Sequence, residues 1–245
     1  VTRLDEARPH PESAPALVLV HAFGSSGRAW APQVQGLGGR RRVVTPDLPG
    51  HGPAEGPFTL DRAVASVCAA IDGAGGPAHL TGISGGAVVA LLTCLEHQPK
   101  VRSLVLSAGI ARPPRWFALQ RALTQVTPEP LLARMLVRTY SGGRAEHAQA
   151  AAEDFRRCGK ATFVRGLREL AGVDLRGRLG EVGVPTLVLC GSRDRANIPL
   201  SEDLAAGIPG AELRIVRDAT HLWNLQQPQV FNEMIAAFVD RAEVR

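Results

Sequence analysis

The pentad Gly82-Ile83-Ser84-Gly85-Gly86 joins an apolar run, HLTGI, to an apolar helical stretch, GAVVALLTCLEH. A serine set among glycines at a strand-to-helix bend has its hydroxyl pushed out of the turn, and its small neighbours let strand and helix pack closely. The helix N-terminus that follows favours negative charge developing beside it. Such a serine is placed to attack a carbonyl, but a free hydroxyl is a weak nucleophile and needs a base, and the base needs an orienting acid. Among seven histidines, His221 fits the base: it stands in DATHLWNLQQP, in a loop after the run LRIV and before the last helix. His10 lies in a polar tail, His79 begins the strand that leads to Ser84 and so sits at the opposite edge, His97 ends a helix, and His147 falls in a helical segment. His21 and His51 occupy loops of the correct edge and are given structural roles, His21 holding its own loop. The acid follows by exclusion. The loop Ser107-Ala108-Gly109-Ile110-Ala111 has no carboxylate, and the next strand, TLVLC, leads into Gly191-Ser192-Arg193-Asp194, so Asp194 is the acid. Asp218, three residues before His221, is assigned to shaping that loop. Acyl transfer also needs donors for an oxyanion. The segment LVLVHAFGSSGRAW offers the N–H of Phe23, partnered by that of Gly85 just after the serine.

Three distant loops meet only if a common frame brings them together. Six short runs are rich in Val, Leu and Ile: Ala16 to Val20, Arg42 to Thr45, His79 to Ile83, Leu104 to Leu106, Thr186 to Cys190 and Leu213 to Val216. Near-continuous apolar runs suit strands of a parallel sheet covered on both faces. Helical patterns alternate with them, at Leu60 to Ile71, Gly86 to His97 and Gln229 to Val239. This order predicts an α/β domain with a parallel sheet. Short strands before Pro15 would add an edge that the sequence barely specifies. From Ala111 to Gly183 the alternation stops, and RWFALQRALTQ, PEPLLARMLVRTY, RAEHAQAAAEDFRRCG and ATFVRGLREL read as four short helices punctuated by Pro and Gly. The expected division is therefore a core of residues 1–110 and 184–245, with a helical lid of residues 111–183 inserted between two strands.

The motifs HAFG, DLPGHG, GISGG, VPTLVLCGSRD and DATHLWN, in that order, resemble those of the lid-bearing α/β-hydrolase superfamily over roughly Ala16 to Val239. Within it the chain is most similar to small bacterial esterases and enol-lactonases. The resemblance implies a mostly parallel sheet of about eight strands flanked by helices, a helical lid, a Ser84–Asp194–His221 triad, and no cofactor or metal. Ser84 excludes the branches that use an aspartate nucleophile, dehalogenases and epoxide hydrolases. Three positions depart from the pattern. Ala22 stands where glycine is usual before the oxyanion residue, Gly85 replaces a larger residue and removes a side chain near the acyl pocket, and Pro53-Ala54-Glu55 lacks the usual polar residue after GHG. The expected activity is a serine hydrolase acting on an ester, lactone or thioester. Two other uses of the triad are carbon–carbon bond hydrolysis and a biosynthetic cyclisation, and a non-catalytic ligand receptor is the rival of another class.

Composition narrows the field further. The chain has 245 residues, 45% hydrophobic and 21% charged, which fits a globular domain rather than a disordered chain. No run of 18 apolar residues suggests a membrane span, and the polar stretch VTRLDEARPHPE has no leader-like apolar run. Cys68, Cys94, Cys158 and Cys190 are widely spaced, without zinc-ligand spacing, and suit a reducing, cytoplasmic setting. The net charge of +5 raises the question of nucleic acid, but there are only 11 aromatic residues and no interleaved basic–aromatic run. From Ala111 to Gly183 the sequence carries twelve Arg and one Lys against seven acidic residues, so this segment holds the whole positive excess. An anionic or carrier-bound acyl substrate is the partner that this charge suggests. Trp116, Phe117 and Leu119, with Trp223 beside His221, are the candidate substrate contacts.

Overall fold

A computed structural model describes residues 14–141 and 144–244. One sheet is built from β1 (Leu17–Val20), β2 (Val43–Val44), β3 (Ala78–Ile83), β4 (Val101–Ser107), β5 (Thr186–Gly191) and β6 (Glu212–Val216). The order is β2-β1-β3-β4-β5-β6, with every neighbouring pair parallel. The count of about eight implied by the resemblance is thus corrected to six among the described residues. The four inner strands are buried almost throughout, and the edge strands β2 and β6 only in part. Any edge strand before Pro15, like the polar N-terminal stretch, falls on residues 1–13, outside those described.

Helices cover both faces: α1 (Ala31–Leu37), α2 (Leu60–Gly73), α3 (Gly85–Glu96), α7 (Ile198–Gly207), the single turn α8 (Trp223–Gln226) and α9 (Pro228–Val244). The period-two alternation of the strands sorts their side chains between two cores. Val18, Val20, Leu80, Leu106 and Val188 pack with residues of α2, α3 and α7. Leu17, Leu19, Val105, Leu187 and Leu189 pack with α1 and α9. The apolar helix α3 is buried along its length from Gly85 to Cys94, which explains why it shows no polar face.

Between β4 and β5 lie α4 (Phe117–Val126), α5 (Glu129–Tyr140) and α6 (Ala145–Ala171). Gly159, at φ 71° and ψ 157°, breaks α6 into two rods, so the segment has the four helical pieces that its sequence suggests. The second rod starts against the α4–α5 junction, where Glu129 accepts from the Lys160 N–H at 3.2 Å and Lys160 Nζ donates to the Thr127 carbonyl at 2.7 Å. Among the described residues no helix is long and apolar enough to cross a membrane.

Candidate active site

Ser84 ends β3 and opens α3 with φ 55° and ψ −122°, a strained geometry for a residue with a side chain. Its N–H donates to the Ser107 carbonyl at 2.8 Å, which pins the bend to β4. The bend is possible because its flanks have no Cβ: one at Gly82 would lie 2.3 Å from the Gly86 carbonyl oxygen, and one at Gly86 would lie 2.3 Å from that of Val20. Asp194 follows β5 and His221 follows β6, so both loops leave the same edge of the sheet as Ser84.

The structure brings these three together. His221 Nδ1 lies 2.7 Å from Asp194 Oδ2, and His221 Nε2 lies 2.9 Å from Ser84 Oγ. With the Nδ1 proton donated to the carboxylate, Nε2 is left as an acceptor for the serine hydroxyl. Burial acts to raise the Asp194 carboxyl, but the hydrogen bond and charge of His221 and the amide of Asn197 outweigh it and hold it below the ordinary carboxylate range. Asp218 lies apart, exposed and paired with Arg193 at 2.8 Å.

Asn197 escaped the sequence reading. Its Nδ2 donates to Asp194 Oδ1 at 2.8 Å. An asparagine just before α7 reads as a helix cap, yet it makes no side-chain cap bond, because its amide is turned to the carboxylate.

The loop after β1 is held from within the core. His21 Nε2 accepts from the Leu48 N–H at 3.0 Å, so Nδ1 carries the proton and donates to the Ala22 carbonyl at 2.9 Å. That carbonyl belongs to the peptide whose other end is the Phe23 N–H, so its plane is fixed. Burial pushes the His21 pKa down to about 4, against the opposing pull of the Ala22 carbonyl. Burial, with the charge of His21, likewise lowers His51 to about 3. Ala22 does not adopt a positive φ, so alanine in place of glycine costs no backbone strain. Gly85 is a departure of another kind. The space of its absent side chain is filled, since a Cβ there would lie 2.7 Å from the Phe23 ring. That ring packs edge-on against Phe58, with centroids 4.7 Å apart.

Ser84, Gly85, Phe23 and His221 border a cavity of about 610 Å³. Its wall is apolar, with Val88, Ile110, Phe117, Leu132, Phe163 and Leu167, and no Asp, Glu, Lys or Arg among its described lining residues. Trp116 and Leu119 also line it and stay 46% and 64% exposed, which puts them at the mouth. Trp223 is not part of this wall and is corrected as a substrate contact. It is fully buried, donates from its indole N–H to Ser107 Oγ at 3.0 Å, and stacks edge-on with Phe231 in the core beneath α9.

A family model described as the alpha/beta hydrolase family matches residues 17–234. The chain belongs to this family. As a member of the alpha/beta hydrolases it resembles a 3-oxoadipate enol-lactonase of Acinetobacter baylyi, 28% identical over 94% of this chain and 90% of the relative. It also resembles a pimeloyl-[acyl-carrier protein] methyl ester esterase of Neisseria meningitidis, 27% identical over 97% of this chain and 98% of the relative. Among solved structures, a hydrolase from Pseudomonas aeruginosa superposes with a TM-score of 0.81 at 26% identity, covering 92% of this chain and 89% of that one.

Proposed function

We propose that the chain is a serine hydrolase that cleaves a carboxylic ester, lactone or thioester through an acyl-enzyme. The observation that carries this reading is the continuous hydrogen-bonded series Asp194–His221–Ser84, open to an apolar cavity. Ser84 Oγ attacks the carbonyl carbon while His221 Nε2 takes its proton. The N–H groups of Phe23 and Gly85, which have no partner among the described residues, hold the oxyanion. His221 then returns the proton to the leaving group, and water activated by the same imidazole releases the acid. Asp194 fixes the imidazole tautomer and steadies its charge, and Asn197 holds the carboxylate.

The ester- and lactone-cleaving names of the relatives support this bond class. Residues 111–183 act as a lid over the acyl site. Because no Asp, Glu, Lys or Arg stands among the described lining residues of the cavity, the acyl group is neutral and apolar, alicyclic or aromatic in character. An anionic portion of the substrate then stays outside, in the leaving group or a carrier. On the exposed surface of the insertion, Arg115, Arg134 and Arg138 have no acidic partner among the described residues and would attract it. The four cysteines are free and buried, which suits a reducing, cytoplasmic setting.

Labelling with a fluorophosphonate tests the reading. Rapid modification at Ser84, lost in Ser84→Ala, together with turnover of p-nitrophenyl esters, is the expected result. Slow labelling without turnover would favour a ligand receptor.

A further inference from the structure

Phe23 stands between two peptide planes, and each is held by a different part of the molecule. The plane before it is fixed by His21 through the Ala22 carbonyl. The plane after it is fixed from the helical insertion, where the hydroxyl of Tyr140, the last residue of α5, donates to the Phe23 carbonyl. Tyr140 is buried, and burial raises its hydroxyl well above the ordinary phenol value, so it stays protonated and can only donate here. The insertion also packs on this residue. A Cβ at Gly166 of α6 would lie 2.8 Å from the Phe23 ring, and one at Gly24 would lie 3.0 Å from the Phe163 ring.

We propose that Tyr140 is a positioning residue for the oxyanion donor Phe23, so that the docked insertion, and not the core alone, sets the geometry of the oxyanion site. This rests on the serine-hydrolase reading above. The physical ground is that the Phe23 N–H lies in the plane that His21 holds, while Tyr140 holds the next plane and so the Phe23 Cα between them. With both planes held, the residue cannot shift as a whole and carry its N–H away. An oxyanion donor misplaced by about 0.5 Å or 10–20° loses much of its worth. A general tie between insertion and loop exists further along, where buried Asp154 accepts from Ser26 Oγ at 2.8 Å and from Arg28 Nη2 at 2.5 Å. Tyr140 differs in gripping the donor residue itself.

The test compares Tyr140→Phe, which deletes only the hydroxyl, with Asp154→Asn, which loosens the other tie. For Tyr140→Phe the expected result is a fall in kcat of about 10- to 100-fold on a p-nitrophenyl ester with KM within about twofold. Affinity for a boronic acid, which adds to Ser84 as a tetrahedral mimic, should weaken by the same factor. Asp154→Asn should lower Tm and leave kcat within about twofold. Equal kcat losses in the two variants would mean general loosening and would overturn the proposal. Wild-type kcat in Tyr140→Phe, with Ser84→Ala inactive, would overturn it alone; turnover by Ser84→Ala would overturn the hydrolase reading and the proposal together. Tyr140 is the one tyrosine in the sequence, so growth on 3-fluorotyrosine labels this site and keeps the hydroxyl. Its fluorine resonance should move when the boronic acid adds to Ser84. An unmoved resonance refutes the proposal even if Tyr140→Phe does not fold.

Discussion

At the carboxyl edge of the sheet, Asp194, His221 and Ser84 each hold a partner at 2.7 or 2.9 Å, and the loops of Ser84 and Asp194 leave fully buried strands. Across the cavity, α4 and the residue before it leave Trp116, Leu119, Leu123 and Val126 exposed. The first region is tightly determined: a chain of hydrogen bonds links Asn197, Asp194, His221 and Ser84. The second is under-determined: apolar side chains offer area and shape, with few contacts that fix one arrangement. Changes at the edge should therefore abolish function, and changes in α4 should tune it.

The largest effect is expected at the edge. Ser84→Ala and His221→Ala should each lower kcat by roughly a million-fold without unfolding the protein, and the double variant should be little worse, because the two act as a unit. Multiplicative losses in ester kinetics would break the claim of one shared machine. Asp194→Asn should cost roughly 10⁴-fold, because the amide favours the wrong histidine tautomer. Asp218→Asn, exposed and paired with Arg193, should cost little, and a reversed ranking would reassign the acid.

The buried imidazoles of the edge give a pH signature. Above about pH 6.5, His21 and His51 are neutral in both folded and unfolded chains. Below it the unfolded chain takes up protons that the folded chain refuses until about pH 4 at His21 and about pH 3 at His51. Stability should fall with pH across that window by about 1.4 kcal/mol per unit for each imidazole. Urea denaturation at pH 7 and pH 5 measures this, and His51→Phe should flatten the slope.

Smaller effects belong to the insertion. Trp116→Ala should raise KM for alicyclic or aromatic esters by roughly tenfold while leaving acetates nearly unchanged, the value of about 1.4 kcal/mol of partly buried indole. Equal changes would show that the indole only packs. Salt should lower kcat/KM a few-fold for an anionic ester and hardly at all for its neutral match, since the unpaired arginines are screened over roughly 8–10 Å. An equal response would reduce the basic surface to a solvated face.

What the sequence made legible was periodic or local. The six strands announce themselves as apolar runs, α3 as a helix without a polar face, and the four helical pieces of the insertion by their Pro and Gly punctuation. The loops carrying Ser84, Asp194 and His221 follow from strand order alone, because parallel strands put all their carboxyl ends on one edge. Contacts between segments distant in sequence left no such trace. Nothing in HAFG says that the Phe23 ring fills the slot at Gly85, and nothing around Tyr140 says that its hydroxyl reaches back 117 residues. Trp223 misled for the same reason: being adjacent to His221 in sequence does not say on which side of the loop an indole lies, and this one turns inward to Ser107.

The pairing of the Phe23 ring with Gly85 also constrains how this protein can change its diet. A larger residue at position 85 collides with the ring, and a smaller one at position 23 opens a void beside the serine, so either step alone is penalised while both together restore the volume. Descent toward a differently shaped acyl group therefore crosses a fitness valley two substitutions wide. A library that varies positions 23 and 85 together can step over this valley, whereas a one-site-at-a-time screen would record both positions as immutable.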